Sequence, residues 1–218
     1  MARFTAWPAD GAAAVEQAVA HCRVTDIRLL YLVLAPTARA AADAARTAGA
    51  WLADAKCTYE LPLNDGIPDP VPDFPLVLVT TLTSALRDLA RASGEYSRFR
   101  LDPRIGWPAY CALYDQWLRK LLVRQQVWQY PLTGVPEGLL ALDNGSSTAH
   151  IELLAVTATA RRQGLGRALV QHACQQARQR GCQSVRVTTQ GQNLPARHLY
   201  EQCGFQLRSL DHYYPLWF

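Results

Sequence analysis

Seven consecutive residues, Arg161, Arg162, Gln163, Gly164, Leu165, Gly166 and Arg167, set three guanidinium groups around two glycines. Glycine lets a backbone approach a ligand without side-chain interference, and a helix that starts there offers unpaired amides at the positive end of its dipole. With the three arginines added, the run is suited to an anion such as a pyrophosphate. Upstream, Ile151, Glu152, Leu153, Leu154, Ala155 and Val156 read as a half-buried strand. Downstream, Leu165, Ala168, Leu169, His172, Ala173 and Ala177 recur at helical spacing. A Walker loop requires a Gly-Lys-Ser/Thr end that is absent here, and a dinucleotide fingerprint requires glycine where Leu169 stands.

The elements that must hold this cradle fall into two groups. Residues 1–72 read as helix (11–20), strand (27–34), Ala-rich helix (37–47) and strand (57–63), a small α/β N-terminal domain. The segment 64–73, dense in proline and turn formers, reads as a linker. Residues 73–218 read as a second domain. Its order is strand (76–80), helix (83–93), a loop around 96–99, helix (108–124), strands at 127–130, 138–142 and 149–156, the cradle and its helix, strand (184–189), helix (195–202) and a terminal hairpin (205–208 with 212–217).

Composition narrows the class. The 218 residues are 50% hydrophobic and 18% charged, enough to bury a core, and the net charge of +4 has no single basic tract that would suit nucleic acid. No apolar run approaches the roughly 18 residues of a membrane span, and the N-terminus lacks a signal-peptide core, so a cytoplasmic protein is expected. The six cysteines show neither a C-x-x-C nor a Cys/His ligand spacing, which favours free thiols and no bound metal.

Arg-x-x-Gly-x-Gly between strand and helix resembles the acetyl-CoA signature of the GNAT N-acetyltransferase superfamily. Further on, Asn193, Ala196 and Tyr200 share one helical face before Cys203, Gly204 and Phe205, and this run resembles that superfamily's second signature. The resemblance covers residues from about 76 onward. It implies an α/β (α+β) fold with a mixed, mostly antiparallel central sheet flanked by helices, with acetyl-CoA as co-substrate. It further implies that residues 161–167 with Ala168 hold the pyrophosphate. Asn193 and Ala196 would hold the pantetheine arm, and Tyr200 would hydrogen-bond the thioester sulfur. Leu154, Ala155 and Val156 match a strand that splays from its neighbour and pairs with the pantetheine amides.

The chemistry fits those roles. Expelling a thiolate calls for a placed acid, for which Tyr200 is the candidate. Proton donation from a phenol of pKa ~10 to a thiolate of pKa about 8.5 is uphill by roughly 2 kcal/mol, so a strong hydrogen bond can serve in place of complete transfer. A backbone amide of 153–156 would meet the developing oxyanion. The incoming amine needs a base, and strand alternation sets His150 and Glu152 on one face, with Glu152 nearer the reacting end.

The small leading domain, Ser97, Arg98 and Phe99, the helix bearing Tyr114 and Trp117, Val185–Gln190 before Asn193, and the aromatic C-terminal strand together resemble the dTDP-fucosamine (dTDP-4-amino-4,6-dideoxygalactose) N-acetyltransferases. Glu152 and the Thr157–Ala160 lead into the cradle are not part of that likeness. The likeness implies a nucleotide-linked amino sugar as acceptor, with Ser97, Arg98, Tyr114 and Trp117 on the acceptor side. Three function classes stay open: acetylation of a small-molecule amine, acetylation of a protein or peptide amine, and acyl-CoA binding without turnover. A homodimer is compatible with each.

Overall fold

The computed structural model describes residues 2–5, 11–63 and 74–218. In chain order the elements are β1 (Ala2–Thr5), α1 (Gly11–Arg23), β2 (Leu29–Leu34), α2 (Arg39–Thr47), β3 (Asp54–Pro62), β4 (Val77–Leu78), α3 (Ser84–Ser93), α4 (Arg98–Leu101), α5 (Gly106–Val123), β5 (Val127–Tyr130), β6 (Gly138–Asn144), β7 (Thr148–Val156), α6 (Leu165–Gln179), β8 (Ser184–Gln190), α7 (Leu194–Gln202) and β9 (Gln206–Trp217). The chain forms two compact units. One takes Met1–Cys57, Gln190–Gln192 and Ser209–Phe218, and the other takes Thr58–Thr189 and Asn193–Arg208. The linker expected at 64–73, and with it the domain boundary at residue 72, lies outside the described residues.

In the first unit, β2 pairs in parallel with β1 and antiparallel with β9, from Leu29 opposite Trp217 to Leu34 opposite His212. All six β2 residues are buried, as befits an apolar strand paired along both edges. Leu30, Leu32 and Leu34 join Val15 and Val19 of α1, Ala41 and Ala45 of α2, and Tyr214 and Leu216 of β9 in one core.

The second unit carries strands in the order β3-β8-β7-β6-β5-β4. The β4–β5, β5–β6 and β6–β7 pairs are antiparallel and β7–β8 is parallel, so this is a mixed, mostly antiparallel sheet. On one face, Val127, Leu139, Ala141, Leu153 and Ala155 pack with Leu86 and Leu89 of α3 and with Leu118, Leu121 and Leu122 of α5. Trp128, next to Val127 and so on the opposite face, meets His172 of α6 edge-on at 5.6 Å. Helices therefore flank the sheet on both sides.

Two irregularities in β7 matter for function. Ala141 pairs with Leu153 and Leu142 with Ile151, which leaves Glu152 as the extra residue of a β-bulge. Parallel pairing with β8 stops at Ile151 opposite Val187, although both strands continue. From Glu152 to Val156 the edge of β7 toward β8 is thus released from ladder hydrogen bonds.

Several local expectations change. The expected loop at 96–99 contributes to α4, and the strand expected over 76–80 shortens to β4. The terminal hairpin is instead one continuous strand, β9: Ser209, Leu210 and Asp211 contain no glycine or proline to reverse the chain. β1 adds a strand that was not expected. Among the described residues, no helix is long and apolar enough to cross a membrane.

Candidate functional site

The expected anion cradle falls where β7 hands over to α6. The Thr157 amide donates to the Glu137 carbonyl at 2.8 Å, and a short 3-10 turn over Ala158–Ala160 follows. Two side chains of the motif then brace the loop: Arg161 Nε donates to the Val156 carbonyl at 3.2 Å, and Gln163 Nε2 to the Thr159 carbonyl at 2.9 Å. Arg162 (φ 64°) and Gly164 (φ 94°) both adopt the left-handed conformation. For Gly164 this costs little, whereas Arg162 carries strain that the loop must compensate. Leu165 is buried against Gly138 and anchors the helix start. The first amides of α6 lack carbonyl partners within the helix, and the arginine side chains around them are exposed. Ala168 is buried and its amide already bonds the Gly164 carbonyl. These residues fit a pyrophosphate: open amides, a left-handed glycine and exposed positive charge stand at one helix end.

Beside the cradle, the freed edge of β7 includes Leu154, Ala155 and Val156. Unpaired strand groups can bind an extended amide-bearing chain as a further strand would. Among the described residues, no cluster of three or more His, Cys, Asp or Glu side chains could hold a metal ion.

Asn193 caps α7, its Oδ1 accepting from the Ala196 amide at 3.3 Å. The Asn-x-x-Ala spacing is therefore that of a helix cap, with the carboxamide NH₂ still available as a donor. Tyr200 lies one helical turn beyond Ala196 and is 4% exposed. Its ring packs between Tyr59 at 6.1 Å and Phe205 at 5.9 Å. Burial pushes the phenol well above its ordinary pKa, which keeps it a protonated donor at neutral pH. Tyr59 is itself held by a bond of 2.7 Å to Glu201 and one of 3.1 Å from Arg197.

A cleft of about 300 Å³ opens between α5 and the bulged end of the sheet. Leu113, Trp117 and Leu121 give it an apolar wall, Gln116, Lys120 and Arg124 line its polar part, and Asp143 and Glu152 complete it. The volume lies at the small end of the range for ligand pockets. Trp117 Nε1 donates to Glu152 Oε2 at 3.1 Å. Burial, followed by the neighbouring Asp143, raises the Glu152 pKa against the opposing effects of His150, the indole bond and Arg124. A carboxyl raised in this way is better matched to taking a proton near neutrality.

The bulge decides which face Glu152 occupies. Simple alternation would set Glu152 opposite Leu153, yet Leu153 packs with α5 and Glu152 bonds a residue of α5. Both point to the same helix because the extra residue breaks the period of two.

Of the acceptor-side residues expected from sequence, Trp117 lines the cleft. Tyr114 sits in the core behind it, ring centroids 5.8 Å apart, with its hydroxyl end filling the space beside Gly94. Ser97 is the buried N-cap residue of α4, and the Arg98 guanidinium lies over the Phe99 ring at 4.3 Å. Neither lines the cleft. Sequence reasoning missed Leu113, Lys120 and Arg124, although they lie four residues before and three and seven after Trp117, on one helical face. It also missed Asp143 and Tyr59, whose relevance depends on pairings distant in sequence.

Comparison with known proteins agrees with this fold. The model of the acetyltransferase (GNAT) family matches residues 83–205. The chain is similar to a streptothricin acetyltransferase of Escherichia coli, 38% identical over 63 residues, a match covering 29% of this chain and 36% of that protein. In structure it is similar to a GCN5-related N-acetyltransferase from Sphaerobacter thermophilus, with a TM-score of 0.59 and 14% identity over 87% of this chain and 59% of that one. It is also similar to a GNAT-family acetyltransferase from Colwellia psychrerythraea, with a TM-score of 0.62 and 14% identity over 96% of this chain and 74% of the other.

Proposed function

This chain belongs to the acetyltransferase (GNAT) family, and we propose that it transfers the acetyl group of acetyl-CoA to the primary amine of a small molecule in the cytoplasm. The observation that carries this reading is the junction of the cradle with β7: a left-handed Gly164 opens α6 just beyond a strand edge freed after Ile151. The cradle suits a pyrophosphate and the free edge suits a pantetheine arm, which are consecutive parts of one molecule.

Acetyl-CoA supplies an acetyl group already activated as a thioester. Within the reading, Arg161, Arg162, Arg167 and the first α6 amides hold the diphosphate, and Asn193 donates to the pantetheine. A β7 amide stabilises the oxyanion as it develops. Glu152, at the bulge, accepts the proton of the incoming ammonium, and Tyr200 donates a hydrogen bond to the departing sulfur.

Within the class of small amines, the overall layout favours a nucleotide-linked amino sugar. Trp117 is the expected acceptor-side residue that reaches the cleft, and Tyr114 supports it from behind. The test is thiol release from acetyl-CoA against amino sugars, other small amines and peptide amines. Release with small amines is the expected result. Release confined to peptide amines would replace it with protein acetylation, and acetyl-CoA binding without release would leave a non-catalytic module.

A further inference from the structure

The cleft beside Glu152 holds two carboxylates and two cations that do not pair with one another. Asp143 accepts from Gln126 Nε2 at 2.7 Å and Glu152 from the Trp117 indole at 3.1 Å, both neutral donors. Among the described residues, no ion pair within 4.0 Å joins Lys120 or Arg124 to either carboxylate. Lys120, in the last turn of α5, and Arg124, its C-cap residue, stand four residues apart, and both are exposed at the cleft.

This arrangement has a chemical reading. Neutral donors orient the two carboxylates without cancelling their charge, and the two cations keep theirs as well. The cleft therefore carries charges of both signs, not cancelled by ion pairs, around one ligand-sized space. Such a field suits a ligand that is itself dipolar, with an ammonium at one end and an anion at the other.

We propose that the acceptor is an amine that also carries an anionic group, a phosphate or a carboxylate, with the amine toward Glu152 and Asp143 and the anion held by Lys120 and Arg124. This rests on the acetyl-transfer reading for the reaction but not for the binding. The anion orients the amine, so these two residues determine specificity.

The test uses matched acceptor pairs with the full chain: phosphoethanolamine against ethanolamine, glucosamine 6-phosphate against glucosamine, and β-alanine against β-alaninamide. The anionic member of at least one pair is expected to show a KM lower by about tenfold. The double variant Lys120→Gln, Arg124→Gln should erase that advantage, read within each protein as the ratio of the two members' KM values. The first two pairs report on phosphate and the third on carboxylate. If no amine supports thiol release, the acetyl-transfer reading fails, and calorimetric titration of the same pairs decides the present proposal. Preferential binding of an anionic member, lost in the double variant, supports it. Equal treatment of all pairs in both measurements, or an advantage that survives the double variant, overturns it.

Discussion

The indole Nε1 of Trp117 donates to Oε2 of Glu152 across 3.1 Å, joining α5 to the bulged residue of β7. That bond stabilises the charged carboxylate, whereas burial and Asp143 act the other way and leave the pKa raised overall. A base works only when deprotonated, so activity should rise through a pKa above the usual carboxylate range. Replacing Trp117 with Phe removes a stabilising bond to the charged form and should move the acid limb of kcat/KM to higher pH. Replacing Glu152 with Gln should remove that limb and lower kcat/KM by about 10²–10⁴-fold with acetyl-CoA affinity retained. pH–rate profiles of the three proteins check this, and an acid limb that survives in Glu152→Gln would assign the base elsewhere.

Tyr200→Phe keeps the ring between Tyr59 and Phe205 and removes only the hydroxyl. The expected outcome is a kcat lower by roughly 10²-fold with little change in cofactor affinity, read by single-turnover kinetics beside a binding titration. Because burial raises this phenol, no alkaline limb from Tyr200 should appear in the ordinary assay range. An unchanged chemical step would remove Tyr200 from the mechanism.

Gly164→Ala tests the cradle through the backbone alone. A Cβ there would meet Phe74 at an ordinary 3.7 Å, so crowding is not at issue, but the φ of 94° is. The strain should cost roughly 1–2 kcal/mol. Weaker binding of CoA, measured by calorimetry, is expected along with a lower thermal midpoint. Unaltered CoA affinity would separate this turn from the cofactor.

Glu60 offers a pH-dependent test of stability away from the site. Burial pushes its carboxyl up, but the Ser184 hydroxyl at 2.9 Å and Arg186 at 3.2 Å, with Arg208 at 3.5 Å, outweigh that and hold the pKa below the usual range. A depressed folded-state pKa contributes stability in full above the unfolded value of about 4.3, and that contribution is lost as pH falls through the folded value. Glu60→Gln should therefore cost about 1–2 kcal/mol at neutral pH and progressively less in acid. Urea unfolding at several pH values measures the difference, and a pH-independent cost would contradict the assignment.

Much of the second unit was legible from residue order because its signals are local. The helix over α6 follows from its apolar spacing, and the strand before it from its position and composition. The turn between them could be read directly, since its glycines and arginines are neighbours in sequence. The terminal segment was less legible, because Ser209, Leu210 and Asp211 read locally as the turn of a hairpin. Long-range pairing keeps it extended, with His212 opposite Leu34 and Trp217 opposite Leu29.

Residue types and their spacing by themselves determined the glycine-arginine turn at 161–167, a helix presenting Tyr200, and a strand carrying Glu152, because these depend on neighbours within a turn or two of the chain. Tertiary structure alone decided the face on which Glu152 lies, where β7 parts from β8, and which of the expected acceptor residues reach a cleft. Each of those depends on register between strands or on a helix packed from elsewhere in the sequence. A one-residue bulge reverses the face of every side chain beyond it without leaving a mark in the local pattern.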